Sequence, residues 1–327
     1  MSKKLVVTIM LLVIFFAVSS LCCLFAYLMI TLTSGGYFNG VQRTSIKGGN
    51  TNQTVAVIDI REVISSQQTS DILGNKTADM ATRTIAKLQN AVDDDNIKAV
   101  LLRMNTPGGE VYATREIYNK IQEVRQKGKK VVVLMEDETA SGGYYIAAGS
   151  DHIVASEMTL TGSIGVIFDS LDLTGLYEKV GIKQIDVTNS KGTLKVLKDL
   201  DKTDSEGYKL LQGLADDYYD NFVGVVAQGR NLTKDQVKAL ADGRVYSGKQ
   251  ALANHLVDEL GEYDVAVEAV KKVAGLDNPN MILLEDQQNS FSGFGMTLLN
   301  YLNPLSSLTN RLNQSGAGAK AMYLLQY

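Results

Sequence analysis

The sequence is poor in the residues on which several common chemistries depend. Of its 327 residues only 2 are cysteine, 2 are histidine and 3 are proline, and none is tryptophan. Cys22 and Cys23 are adjacent in an apolar run and staple nothing, which excludes a disulfide scaffold. Two histidines and two neighbouring cysteines are too few ligands for a zinc site of the usual kind. Basic and acidic residues nearly balance, 32 against 36, for a formal charge of −4. That is no electrostatic footprint for nucleic acid. So little proline excludes a collagen-like chain, and a 45% hydrophobic content excludes a disordered tail protein.

What the chain does have begins with a long hydrophobic run. Between Lys4 and Arg43 there is no charged residue, and from Leu5 to Leu32 only Thr8, Ser19, Ser20, Tyr27 and Thr31 interrupt the apolar stretch. A helix crosses a bilayer with ~20 apolar residues, whereas the apolar core of a cleaved signal peptide runs to ~7–15. The pattern therefore predicts a cytoplasmic tip at 1–4 and a retained single-pass anchor at 5–33. Lys3 and Lys4 lie closer to the run than Arg43 and Lys47 on its other side, so the following domain is expected on the extracytoplasmic face. Residues 34–53 are small and polar and read as a flexible stalk.

From Thr54 short β-branched runs alternate with longer segments of helical period. Val55–Ile60, Ala99–Leu102, Val131–Leu134, Ile153–Ala155 and Val166–Phe168 read as strands, and so does Gln184–Val187. Thr77–Val92 and Val111–Val124 read as amphipathic helices, and Ser205–Gly229 as one long helix with an aromatic stripe. The alternation predicts an α/β fold with a mainly parallel sheet covered by helices. A catalytic domain over 54–275 and a low-charge C-terminal extension over 276–327 complete the expected organisation.

Sheets of this kind carry their sites at strand C-terminal ends. One candidate turn is Asn105-Thr106-Pro107-Gly108-Gly109, whose glycines leave backbone N–H groups bare for an anion. An ordinary strand-to-helix turn would look the same. The other is Thr139-Ala140-Ser141-Gly142-Gly143, which follows a strand and opens an apolar helix. Ser141 there is either a nucleophile or an N-cap, the commoner use of such a serine. A nucleophile needs a base. His152 and His255 are the only histidines, and neither is obviously placed to face Ser141. Lys191, Lys195 and Lys198 are alternatives, since a desolvated lysine can serve. Gly243–Gln250 fits seven positions of a phosphate-binding P-loop, but Gln250 stands where Ser or Thr would hold magnesium.

Taken in order, Asn-Thr-Pro-Gly-Gly at 105–109, Thr-Ala-Ser-Gly-Gly-Tyr-Tyr-Ile-Ala at 139–147, Thr-Leu-Thr-Gly-Ser-Ile-Gly-Val at 159–166 and Asp-Gly-Arg-Val-Tyr-Ser-Gly at 242–248 closely resemble the signal peptide peptidase A family, in its short, Gram-positive-like form with one catalytic domain. The resemblance covers roughly residues 54–275. It implies the repeated β-β-α fold shared with the caseinolytic protease subunit and the crotonases. It also implies a serine peptidase with a Ser/Lys dyad and no metal or other cofactor. Ser141 matches the nucleophile, and Gly108 the oxyanion-hole glycine, with the Gly142 N–H as second donor. Ser163 matches the serine that positions the lysine. The lysine motif departs from the family pattern Ser-Gly-x-x-Lys-Asp followed by Ser-Pro. Lys191-Gly192-Thr193-Leu194-Lys195-Val196 keeps only Gly-x-x-Lys and sits about two residues late. It points to Lys195, with Lys191 and Lys198 as alternatives. The resemblance further implies signal peptides and similar apolar peptides as substrates, the membrane as setting, and a homo-oligomer, an octameric ring. A catalytically inactive membrane scaffold and a crotonase-like acyl-CoA enzyme are the competing functions.

Overall fold

The computed structural model describes residues 40–70, 76–183, 190–197, 200–286 and 320–324, together with Ile185 and Val187. The anchor expected at 5–33 and the stalk before residue 40 lie outside the described residues. Among those described, no helix is long and apolar enough to cross a membrane. The described residues from Val41 onward form one compact unit.

The strands in chain order are β1 (Val41–Lys47), β2 (Asn50–Ile60), β3 (Thr69–Ser70), β4 (Lys76–Thr77), β5 (Ile97–Thr106), β6 (Gly108–Glu110) and β7 (Lys130–Ala140), followed by β8 (His152–Ala155), β9 (Leu160–Gly162), β10 (Ile167–Asp169), β11 (Val245–Ser247), β12 (Glu259–Leu260), β13 (Pro279–Asp286) and β14 (Lys320–Leu324). The main sheet runs β1-β13-β2-β5-β7-β8-β12, with β9 added to the far end of β7 and β11 to β9. All neighbours from β13 to β12 are parallel, and only β1 on β13 and β11 on β9 are antiparallel. The central strands β2, β5 and β7 are near-continuous apolar runs because both faces of a parallel sheet are covered.

On one face lie α1 (Met80–Asp93), α2 (Val111–Gln126), α3 (Gly142–Ala147) and α5 (Glu206–Arg230), around a core that includes Leu88, Leu102, Ile117, Tyr145 and Phe222. The other face is covered by α8 (Tyr263–Ala274) over Val57, Leu101, Val132 and Leu134. Short helices α4 (Thr174–Lys179), α6 (Lys234–Leu240) and α7 (Gly248–Ala253) complete the described elements. The ends of these helices are mostly closed in standard ways. Asp79 caps α1, Ser205 caps α5, and Thr233 and Ser247 form capping boxes with Gln236 and Gln250. Gln250 is therefore spent on a helix start. At the other end of α1, the buried Lys129 Nζ donates to the carbonyls of Ala91, Val92 and Asp94 at 2.6, 3.0 and 2.8 Å.

Two expected boundaries move. Residues 41–53, read as part of a stalk, form β1 and the start of β2. Their polar character reflects an exposed edge strand, since β1 pairs only with β13. Residues 276–286, read as the start of an extension, supply β13, which lies between β1 and β2 with Met281, Ile282 and Leu284 buried. The strand expected at 184–187 falls partly outside the described residues. Ile185 and Val187 belong to no described strand and are exposed.

Candidate active site

Five helix starts in this chain can be compared directly. Asp79, Ser205, Thr233 and Ser247 have extended backbones with φ between −64° and −71°, and each side chain accepts from the N–H three residues on. Ser141, at the start of α3, has φ 51° and ψ −115°, and its side chain makes no cap bond. A non-glycine residue at positive φ carries strain of order 1–3 kcal/mol, which surrounding contacts must sustain. The capping use, the commoner one for a serine in this position, is thus excluded by geometry.

The surrounding contacts are identifiable. The Ser141 N–H donates to Gly162 O at 2.8 Å, and its carbonyl accepts from Tyr145 N at 2.9 Å. β7 and β9 pair in parallel with Ala140 opposite Gly162, so the next residues, Ser141 and Ser163, come abreast. Ser163 is buried, has φ 50°, and donates its N–H to Arg244 O at 2.9 Å. Gly162 is held at φ 82°, where a β-carbon would lie 2.6 Å from the Tyr246 ring. Every residue of α3 is buried, which anchors the turn from behind. Tyr144 Oη donates to Leu256 O at 2.9 Å, and Tyr145 Oη to Asn221 Oδ1 at 2.7 Å while accepting from Arg115 at 2.6 Å. Burial pushes both phenols above their ordinary pKa, so both stay neutral.

The second glycine turn packs against the first. Gly143 lies so close to Thr106 that a β-carbon would meet Thr106 Cγ2 at 2.9 Å. Thr106, part of the first candidate turn, joins three segments. Its Oγ1 donates to Glu62 O at 2.6 Å and accepts from Gly108 N at 3.2 Å, the long end of the range for such bonds. Gly108 has φ 102°, open to glycine at little cost. Its neighbour Gly109 could carry no side chain, since a β-carbon would lie 1.9 Å from Ile64 O. Ile64 N donates to Gly108 O and Glu110 N to Ile64 O, both at 2.8 Å, so one edge of β6 is closed by Ile64.

The candidate bases are placed differently. His152 is in register with Val132 at the opposite end of β7 from Ser141. At ~3.3 Å per strand residue that is about 25 Å or more. It instead faces Glu259, 3.4 Å away, and Asp258, 3.9 Å away. His255 is exposed and its carbonyl accepts from Arg230 Nε. Neither histidine reaches Ser141. Lys195 ends a short 3-10 turn, Thr193–Lys195, and is exposed, as is Lys191. Lys198 lies outside the described residues. Among the described residues no lysine is hydrogen-bonded to Ser141, and no group of His, Cys, Asp and Glu could hold a metal ion.

A relative in Enterococcus faecium, "Putative signal peptide peptidase SppA", is 35% identical over 262 residues, which are 80% of this chain and 74% of that protein. The family model described as Peptidase family S49 matches residues 123–277. The chain belongs to peptidase family S49. A second family model, Clp protease, matches residues 49–158. "Putative protease slr0021" of Synechocystis sp. is 41% identical over 204 residues, 62% of this chain and 72% of that protein. "Serine protease SPPA, chloroplastic" of Arabidopsis thaliana is 30% identical over 243 residues, 72% of this chain but 36% of its own length. As an S49 member the chain is a serine peptidase of mixed α/β, Clp-protease-like fold. The two matched regions overlap over residues 123–158, the stretch that holds the Ser141 turn, and the Gly108 turn lies in the Clp protease match alone.

Proposed function

We propose that the protein is a membrane-anchored Ser/Lys endopeptidase that degrades residual signal peptides and similar apolar peptides at the extracytoplasmic face of the membrane. The observation that carries the reading is the backbone of Ser141, among the described residues the one helix-start serine held at positive φ with its hydroxyl released from capping. Strain of this kind persists where a residue is held for another purpose.

In this reading Ser141 Oγ attacks the carbonyl carbon of a peptide bond while neutral Lys195 takes the hydroxyl proton. The N–H of Gly142 and that of Gly108, which gives up its 3.2 Å bond to Thr106 Oγ1, stabilise the oxyanion, an effect of about 2.7–4 kcal/mol per donor. The Lys195 ammonium returns the proton to the leaving nitrogen as the C–N bond breaks. Water, deprotonated by Lys195, then hydrolyses the ester to release the acyl half and restore Ser141. Ser163, abreast of Ser141, orients the lysine. No step calls on a metal or nucleotide.

Lys195 reaches Ser141 from a neighbouring subunit. Two observations support this. Lys195 is exposed and makes no bond to Ser141 within the chain. The segment around it exposes Leu171, Leu176, Ile182, Ile185 and Val187. Such a cluster of large apolar side chains marks a contact surface. The signal-peptide substrate and the membrane setting rest on the name of the Enterococcus relative and on the 5–33 run.

A fluorophosphonate probe tests the reading. It should label the wild-type protein at Ser141, and the Ser141→Ala protein should neither label nor cleave a signal-peptide-derived substrate. Labelling elsewhere, or none under conditions where peptide is cleaved, would sink the assignment.

A further inference from the structure

The residues of β7 that lead into Ser141 do not continue the ladder below them. Met104 pairs with Met135 and Thr106 with Thr139, so two steps along β5 are matched by four along β7. On the other side of β7, β8 pairs with it as far as Met135, and β9 takes over at Glu138. The stretch 136–138 is therefore an enlarged bulge between two regular ladders. A bulge interrupts main-chain pairing and re-aims the chain that follows it, here into Ser141.

Three threonines serve the carbonyls at this bulge, and all three are fully buried. Thr139 Oγ1 donates to Met104 O, on β5 opposite the bulge, at 2.9 Å. Thr159 Oγ1 shares its proton between Met135 O, at 3.0 Å, and Glu136 O, where the bulge begins. Thr161 Oγ1 donates to Thr139 O, where the bulge ends, at 2.6 Å. Asn105 adds a fourth tie, its Oδ1 accepting from Glu138 N at 3.2 Å. Valine has the same β-branched outline as threonine and no buried hydroxyl to satisfy. What threonine adds at these positions is a directed bond to a carbonyl on another segment.

Thr161 stands closest to the chemistry. It holds the carbonyl of Thr139, two residues before Ser141, and its neighbour Gly162 supplies the carbonyl that takes the Ser141 N–H. Met135 Sδ, 3.5 Å from the same hydroxyl, is a weak acceptor, so the Thr139 carbonyl takes the proton. We infer, on the reading of Ser141 as nucleophile, that Thr161 is a positioning residue for the peptidase and that Thr159 supports it from the other end of the bulge. Both hydroxyls act through the main chain between Met135 and Ser141. When they are lost the bulge slackens, and Ser141 shifts relative to the Gly108 turn.

Paired substitutions in the full-length protein test this. Thr161→Val keeps the γ-methyl and loses the hydroxyl, whereas Thr161→Ser keeps the hydroxyl and loses the methyl. Thr161→Val should lower kcat roughly tenfold with KM within about twofold of wild type, and Thr161→Ser should stay within about twofold in both. Thr159→Val and Thr159→Ser should differ in the same direction. A packing role gives the reverse order, and a serine variant less active than its valine counterpart at position 161 would overturn the inference. Should Thr161→Val fail to fold, Thr161→Ala makes the same comparison, since it differs from Thr161→Ser by the hydroxyl alone. Thr114 is the control, being fully buried with a hydroxyl that has no partner. Thr114→Val should leave kcat unchanged, and a loss there as large as in Thr161→Val would also overturn the inference.

Amide hydrogen exchange reads the same device without catalysis. The Ser141 amide, bonded to Gly162 O, should exchange at least about threefold faster in Thr161→Val than in wild type or Thr161→Ser, with β2 and β5 unchanged. Equal exchange at Ser141 in all three proteins would overturn the positioning role. Absence of fluorophosphonate labelling in the wild type would instead count against the peptidase reading, and the exchange comparison would still decide whether Thr161 holds the turn.

Discussion

The amide of Ser141 donates to the carbonyl of Gly162 at 2.8 Å, and this bond ties the serine to the turn that carries Ser163. Both serines then sit at positive φ, 51° and 50°, each directly after the end of one of two adjacent parallel strands. Neither conformation is one the isolated residue would choose. The β7–β9 pairing and the buried helix α3 hold them there together.

Substitution of the proposed dyad should separate chemistry from folding. Ser141→Ala and Lys195→Ala are each expected to lower kcat by about 10³-fold or more with the melting temperature near that of wild type. Lys191→Ala should retain most activity. If Lys195→Ala keeps wild-type kcat while Lys191→Ala is inactive, the base has been misassigned.

A lysine supplied by a neighbouring subunit makes a further demand. Mixing Ser141→Ala with Lys195→Ala protein and allowing subunits to exchange should restore activity, because some sites then combine an intact serine with an intact lysine. Mixed assemblies verified by native mass spectrometry that show no recovery would place both groups of each site on one chain.

Packing between the two glycine turns predicts the effect of one methyl group. In Gly143→Ala the new β-carbon would lie 2.9 Å from Thr106 Cγ2 and 3.2 Å from Thr106 O. One turn must yield. The expected result is a fall in kcat/KM of about tenfold or more for a shift of a few tenths of an ångström. Restoration of activity by Thr106→Ser, which removes the clashing methyl, would locate the cause at this contact.

Acid should weaken the fold through Asp258. Burial alone would raise its pKa, but the Arg230 guanidinium, the Ile153 N–H and nearby His152 outweigh burial and hold it below the ordinary carboxylate value. Arg230 donates to it at 2.6 and 2.9 Å. A carboxyl lowered on folding contributes stability that is complete above its unfolded pKa of ~3.9 and is lost as pH falls through the folded value. Melting temperature should therefore be insensitive to this pair from about pH 7 to 5 and drop below about pH 4. Asp258→Asn should melt lower at pH 7 and lose less on acidification. A wild-type and variant difference that stays constant with pH would contradict the linkage.

Membrane attachment is open to fractionation. The full-length protein should stay with membranes through an alkaline carbonate wash. A chain starting at Val41, where the compact unit begins, should remain in the supernatant and keep peptidase activity. Release of the full-length protein by the wash would argue against the 5–33 run as an anchor.

The local patterns of the sequence carried most of the elements. Helical period marked α1, α2 and α5 to within a few residues, because each buries one face against the sheet. The continuous apolar runs of β2, β5 and β7 marked a parallel sheet covered on both faces. The two glycine turns were visible as interruptions between strand and helix, and the ordered motifs at 105–109, 139–147 and 159–166 led to the family. Polarity misled at 41–53, where an edge strand looks like a linker, because an edge strand buries little and its pairing leaves no mark on composition.

The sequence by itself determined the long helices and the central strands of the sheet, since period, capping residues and glycine act within a few positions along the chain. Tertiary structure alone decided what Ser141 is free to do. Its residue type and place at a helix start fit a cap, and only the bond to Gly162, 21 positions away, turns its backbone and releases its hydroxyl. The same holds for Thr106 beneath Gly143, for β13 between β1 and β2, and for β14 between β6 and β10. Each depends on pairing or contact between distant segments, and the free energy of such contacts is realised only when the whole sheet is assembled.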